Sequence, residues 1–219
     1  MTLTEWETPT NEFYEELNAL IKEKNLEINA FGGFKVWYSN LIKNPKILII
    51  GINPGKNEKT TAMNINFRPS DELEYLADKP NYRLAMQMKK AFAAAELSDV
   101  LFNSTMKTNY YHIITDQMNH IQTLNKVYKG LGKRYNTQSA LIIKQLINII
   151  QPEYIICEGK SIYRKVCSLY QDPSESNWSN DCGFSSFSNG EPTIIGFARI
   201  RSNIKNIPEV AKLLKDKIM

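Results

Sequence analysis

Lys46-Ile47-Leu48-Ile49-Ile50-Gly51-Ile52-Asn53-Pro54-Gly55 is a short aliphatic run that stops abruptly at Gly-x-Asn-Pro-Gly. Unbroken β-branched and aliphatic residues, without polar alternation, predict a strand over 46–50 that is buried on both faces, as in the centre of an α/β sheet. The stop predicts a tight loop at the strand's carboxyl end, where open α/β sheets place their ligand sites. Pro54 fixes its own φ and holds Asn53 extended. Gly51 and Gly55 are read as positions of close backbone approach or positive φ. One amide side chain is thus presented on a stiffened loop above a sheet.

The rest of the chain alternates around this strand. Apolar spacing at Phe13, Leu17, Leu20 and Ile21 predicts a helix over 11–24, capped by Thr10 or Asn11. Phe31-Gly32-Gly33-Phe34 reads as a loop, and 35–42 as a short helix or a turn. A long polar loop is expected over 51–70 and a helix over 82–96. Strand character appears at 99–102 and at 109–114, so the second strand is open between them; 117–134 carries a short helix and a basic loop. Thr137 caps a helix that Pro152 stops, Tyr154-Ile155-Ile156-Cys157 repeats the buried-strand signature, and 160–170 returns to helix. Residues 171–190 read as an irregular segment or a hairpin, 192–197 as a last strand, and 207–218 as a closing helix with Pro208 in its first turn. The alternation predicts a single α/β domain over 1–219, a three-layer α/β/α arrangement with a central, mainly parallel four-stranded sheet.

Composition narrows the function classes. A chain of 219 residues with 42% hydrophobic and 23% charged residues is globular, and no apolar run has the length of a membrane span. The acidic start, Met1-Thr2-Leu3-Thr4-Glu5-Trp6-Glu7, lacks the plan of a signal peptide, so a cytoplasmic location is expected. Three widely spaced cysteines (Cys157, Cys167, Cys182) and two histidines (His112, His120) predict no disulfide framework, no zinc site and no cofactor. The net charge of +4 permits nucleic-acid binding without requiring it. Lys126, Lys129, Lys133 and Arg134 form one basic cluster, and Arg199, Arg201 and Lys205 another; each suits either phosphate contact or a solvated face.

Gly51-Ile52-Asn53-Pro54-Gly55 resembles motif 1 of the uracil-DNA glycosylase superfamily, especially its mismatch-specific and single-strand-selective branches. The segment from Ser139 to Val166, with Leu141 to Pro152 followed by Glu153-Tyr154-Ile155-Ile156-Cys157-Glu158-Gly159-Lys160-Ser161, is similar to that superfamily's helix–Pro–strand–Gly–helix unit. Glu158-Gly159-Lys160-Ser161 is not a P-loop, because Tyr154 stands where the first P-loop glycine would be. Thr108-Asn109 matches the pair that ends the second strand in several branches. The superfamily's second motif, His-Pro-Ser after the last strand, is poorly matched by Phe197-Ala198-Arg199-Ile200-Arg201-Ser202-Asn203-Ile204-Lys205-Asn206, which has neither the His nor the Pro.

The resemblance implies a glycosylase acting on DNA, in duplex or single strand, that hydrolyses the N-glycosidic bond of uracil or a related deaminated base. It implies that Asn53 orients the attacking water. Arg199 or Arg201 replaces the missing histidine as the charge-stabilising group, with Asn203 a weaker candidate. Ile52, Phe67 and Asn109 would hold the base, Phe67 by stacking and Asn109 through its paired donor and acceptor. Phe67 equally suits a core anchor and Asn109 an exposed turn. Lys56, Lys160, Ser161, Ser202, Asn203 and Lys205 would contact DNA, with Ile204 as the apolar wedge. Three cysteines cannot hold the four-cysteine iron–sulfur cluster of some branches, so no cluster is expected. Two other readings are a non-catalytic nucleic-acid-binding member of the same fold, which the missing histidine favours, and an α/β enzyme acting on free nucleosides or nucleotides.

Overall fold

The structure is a computed structural model that describes residues 1–26, 30–55, 64–76, 82–115, 117, 119–122, 129–188 and 190–219. In chain order its elements are α1 (Leu3–Glu23), β1 (Phe31–Lys35), β2 (Ile47–Gly51), β3 (Asn64–Asn66), α2 (Arg83–Ala94), α3 (Ser98–Asn103), β4 (Thr105–Asn109), β5 (Ile113–Thr115), α4 (Lys129–Ile150), β6 (Tyr154–Cys157), α5 (Lys160–Cys167), β7 (Glu175–Ser179), β8 (Cys182–Ser186), β9 (Thr193–Phe197), β10 (Arg199–Ile200), β11 (Asn203–Ile204) and α6 (Ile207–Ile218). The chain divides into two compact units of three segments each: Met1–Val36, Asn53–Arg68 and Asn109–Ile149 in the first, Trp37–Ile52, Pro69–Thr108 and Ile150–Met219 in the second.

The second unit holds an α/β fold on a six-stranded mixed sheet of order β4-β2-β6-β9-β8-β7. Its centre is parallel: Ile47 pairs with Tyr154 and Tyr154 with Thr193, in register through Ile50, Cys157 and Gly196. Ile47, Ile49, Ile156, Ile195 and Phe197 point to one face, against Leu84, Met88 and Phe92 of α2 and Val210 and Leu214 of α6. The intervening residues are buried on the other face, so the central run shows no polar alternation. Gly196 lets α5 press onto β9, since a Cβ there would lie 2.6 Å from the Tyr163 side chain. The hairpin β7–β8 extends the sheet by antiparallel pairing of β8 with β9. The sheet is therefore larger than four strands and mixed in direction. Residues 99–102, read as a possible strand, belong to α3, in which Leu101 is buried and Phe102 exposed.

The first unit holds a three-stranded sheet, β3-β1-β5, in which Phe31-Gly32-Gly33-Phe34 is strand rather than loop. Gly33 sits at φ +87, and a Cβ there would collide with the Asn64 backbone of the parallel neighbour, which explains a loop-like residue inside a strand. Helix α1 begins eight residues before the sequence suggests, at a capping box between Thr2 and Glu5, and carries Pro9 inside it. Trp6 anchors this early turn by donating from Nε1 to the Ile142 carbonyl, 3.2 Å away. Aromatic rings fill the core: Tyr14 stacks on Phe34 at 4.3 Å between centroids, and Tyr135 stacks on Tyr111 at 5.5 Å.

Candidate functional site

Motif 1 begins where β2 ends. Gly51 is its last, buried residue, and neither Gly51 nor Gly55 takes a positive φ; a Cβ on Gly55 would meet nothing within 4 Å, so Gly55 meets neither half of the sequence reading. Asn53 is half-buried, and its Nδ2 donates to the Pro54 carbonyl at 3.0 Å and to the Thr115 carbonyl at 3.1 Å. The Thr115 amide returns a bond to the Pro54 carbonyl at 3.2 Å, so loop and strand end clamp one another. With both Nδ2 hydrogens used, the amide has one orientation. Its Oδ1 accepts no hydrogen bond among the described residues and remains an acceptor for a water or ligand.

Asn109, the last residue of β4, is 4% exposed, and its amide bonds no described residue. The amide atoms of Asn109 are not among the fully buried ones that lack a partner, so the small exposure the residue keeps leaves this donor–acceptor edge open to an external partner with a complementary edge. The exposed-turn alternative for Asn109 does not hold, because the residue is buried in a strand.

Phe67 is half-buried just after β3. Its ring meets Trp6 edge-on at 6.0 Å and stacks obliquely on Tyr14 at 6.3 Å between centroids. Part of this ring is thus committed to the core. Tyr14 also shares a hydrogen bond with Nδ1 of His112. Burial pushes the His112 imidazole down to about 3, which keeps it neutral and structural. Asn53, Phe67 and Asn109 all lie in the first unit. Strand pairing links the first two, since Thr115 opposes Phe31 and Phe34 opposes Ile65; no hydrogen bond joins the three side chains directly. Ile52 is half-buried directly after β2, and Lys56 lies outside the described residues, as does Lys126 of the basic cluster.

In the second unit, the segment matched to motif 2 is a β-hairpin. Arg199 pairs with Ile204 and Ile200 with Asn203, and Arg201, at φ 54, forms the tip with Ser202. The Gln87 side chain pins it, donating from Nε2 to Asn203 Oδ1 at 3.1 Å and accepting from the Ile204 amide through Oε1. Ile204 is 5% exposed and packs in the core, so it cannot serve as the wedge; Ile200, 60% exposed, is the apolar side chain the hairpin presents. Asn203 is engaged by Gln87, and Lys205 pairs with Asp181 at 3.3 Å, so both have structural roles. Lys160 holds its ammonium 4.5 Å over the Trp178 ring, and Ser161 beside it is exposed.

Sequence reasoning missed a buried ionic network behind this hairpin. Lys107 Nζ lies 2.7 Å from Glu158 Oε1, 2.7 Å from Tyr75 Oη and 3.1 Å from Glu74 Oε1, and the Tyr82 hydroxyl donates to the same Glu74 oxygen at 2.7 Å. Burial raises the Glu158 carboxyl to about 8, opposed by the Arg199 guanidinium; burial also lowers the Lys107 ammonium, opposed by Glu74. Arg199, whose side chain lies against Gly159, acts on Glu158 through its charge, whereas Arg201 is exposed. A single lysine inside Thr105-Met106-Lys107-Thr108-Asn109 gives no pattern that would signal it.

No protein-family model and no curated protein matches the chain. Among the described residues, no group of three or more His, Cys, Asp or Glu is placed to hold a metal ion. No described helix is long and apolar enough to cross a membrane.

Proposed function

We propose that this chain is a DNA glycosylase of uracil-DNA glycosylase-like architecture, hydrolysing the N-glycosidic bond of uracil or a related deaminated base in DNA. The observation that carries the reading is the locked amide of Asn53, with Nδ2 held by the Pro54 and Thr115 carbonyls and Oδ1 accepting from no described residue. An amide does not titrate near neutrality, so Asn53 orients the attacking water rather than deprotonating it. The extruded nucleotide leaves its stack at a cost of a few kcal/mol, less where it is mismatched. The sugar then develops oxocarbenium character, by analogy with O-glycoside cleavage. The water oxygen forms a bond to C1′ as the bond from C1′ to the base nitrogen breaks. The electron pair leaves with the base, and the water's proton passes to solvent.

The buried, open amide of Asn109 supports readout of the base edge, which needs adjacent donor and acceptor groups. Phe67 contributes the part of its ring that Trp6 and Tyr14 do not cover. On the hairpin, Ile200, Arg201 and Ser202 are the exposed set for DNA contact. Arg201 is the exposed cation of the hairpin, while Arg199 is half-buried and close enough to Glu158 for its charge to act there.

An abasic-site cleavage assay on oligonucleotides carrying U·G, U·A, single-stranded U, hypoxanthine and T·G tests this. Base release from at least one substrate, strongly reduced in Asn53→Ala, is the expected result. Release unchanged in Asn53→Ala removes that residue from the chemistry. Binding without release from any substrate favours the non-catalytic reading, to which the absence of a motif 2 histidine points.

A further inference from the structure

We infer that His120 is a positioning residue that sets the orientation of the Asn53 amide through Thr115. The inference rests on the reading of Asn53 as the water-orienting group. Thr115 is the hub. Its carbonyl takes one Nδ2 hydrogen of Asn53 at 3.1 Å, and its amide bonds the Pro54 carbonyl at 3.2 Å. Its Oγ1 donates to the Gln117 carbonyl at 3.1 Å and lies 2.9 Å from His120 Nδ1. A hydroxyl has one proton, and a carbonyl can only accept. With the Oγ1 proton on the Gln117 carbonyl, the arrangement the inference takes, His120 donates its Nδ1–H to Oγ1. The Gln117 amide also approaches Oγ1, at 3.4 Å, so the hydroxyl is held between the histidine and the residue two positions on. Phe31, whose ring centroid lies 6.1 Å from that of His120, pairs as a strand residue with the same Thr115. The histidine thus braces the strand end from which the Asn53 amide hangs.

Rotation of the Thr115 carbonyl would release one of the two bonds that orient Asn53, and small misplacements of a positioning group carry large rate penalties. His120→Leu and Thr115→Val are therefore expected to lower the single-turnover rate of base release about 10- to 100-fold, with substrate affinity changed little. His120→Asn places an amide N–H where Nδ1–H stood and restores most of the rate, whereas His120→Gln, whose N–H reaches the Nε2 position, does not. In an Asn53→Ala background, His120→Leu has no further effect. A wild-type rate in His120→Leu, or a full additional loss in the Asn53→Ala background, overturns the inference while leaving the glycosylase reading intact.

A readout independent of activity decides the matter if the wild-type protein releases no base. The side-chain amide of Asn53, observed by ¹H–¹⁵N NMR, is expected to be protected from solvent exchange in wild type and His120→Asn, and to lose that protection in His120→Leu. Equal protection in all three overturns the inference.

Discussion

Lys107 Nζ and Glu158 Oε1 stand 2.7 Å apart inside the second unit, at 3% and 4% residue exposure. The pair joins the middle of β4 to the residue that follows β6, and its remaining hydrogen bonds go to Tyr75 and Glu74. Burial works against both charges, so the pair holds only while each partner is present.

Removing the lysine alone should therefore cost more than removing both. Lys107→Met is expected to destabilise by about 3–5 kcal/mol, because it strands the Glu158 carboxyl, whereas Glu158→Leu costs less, because Lys107 keeps Glu74 and Tyr75. The double variant should lose clearly less than the sum of the two. Urea denaturation of the four proteins completes the cycle; strict additivity would show that the two groups do not depend on each other.

His112 makes the protein sensitive to acid. Its folded-state pKa, about 3, lies below the ordinary 6.5, because burial disfavours the imidazolium. A depressed histidine contributes stability that is fully present above about pH 6.5 and is lost as pH falls toward 3. The expected slope is up to about 1.4 kcal/mol per pH unit in that window. His112→Asn should be less stable at neutral pH, through its disturbed contact with Tyr14, and should show a flatter decline between those limits. Stability measured at half-unit intervals checks this, and parallel pH curves for the two proteins would remove His112 as the cause.

The hairpin separates two isoleucines that look equivalent in the sequence. Ile204→Ala is expected to cost about 2–5 kcal/mol, as for other buried aliphatic truncations, whereas Ile200→Ala should stay within about 0.5 kcal/mol of wild type. On the proposed reading, Ile200→Ala weakens duplex binding despite its native stability, and Arg201→Ala flattens the salt dependence of that binding by about one ion. Equal losses of stability in the two Ala variants, or an unchanged salt slope, would contradict these assignments.

Strands β2, β6 and β9 are legible in the sequence because both of their faces are buried, and buried faces demand apolar residues at every position. Strand β4 escapes the same test. Thr105-Met106-Lys107-Thr108-Asn109 is wholly buried, but Lys107 is satisfied by a distant ionic network and Asn109 is left open, so burial leaves no apolar trace. Strand β7 escapes for the opposite reason, as its residues Glu175-Ser176-Asn177-Trp178-Ser179 form a largely solvent-facing sheet edge. Pro9 hides the first turns of α1 by breaking the expected pattern inside a helix that Thr2 already caps. Asn53 stands out because its neighbours have restricted backbones, but Thr115, whose carbonyl holds its amide, is distant in sequence, which no local pattern encodes.

Asn109 offers the sharpest separation between a residue kept for the fold and one kept for a ligand. Asn109 is 4% exposed and its amide bonds no described residue, and Leu has nearly its shape without its polar atoms. Asn109→Leu should therefore stay within about 1 kcal/mol of wild-type stability, as judged by the denaturation midpoint. If the amide reads a base edge, the same variant should lose about 100-fold or more in kcat/KM, since sites built around buried hydrogen bonds discriminate strongly once those bonds are gone. Asn109→Asp keeps the acceptor and loses the donor, and should fall between the two with altered preference among the substrate bases. A less stable, fully active Asn109→Leu protein would assign the amide to the fold and remove it from the site.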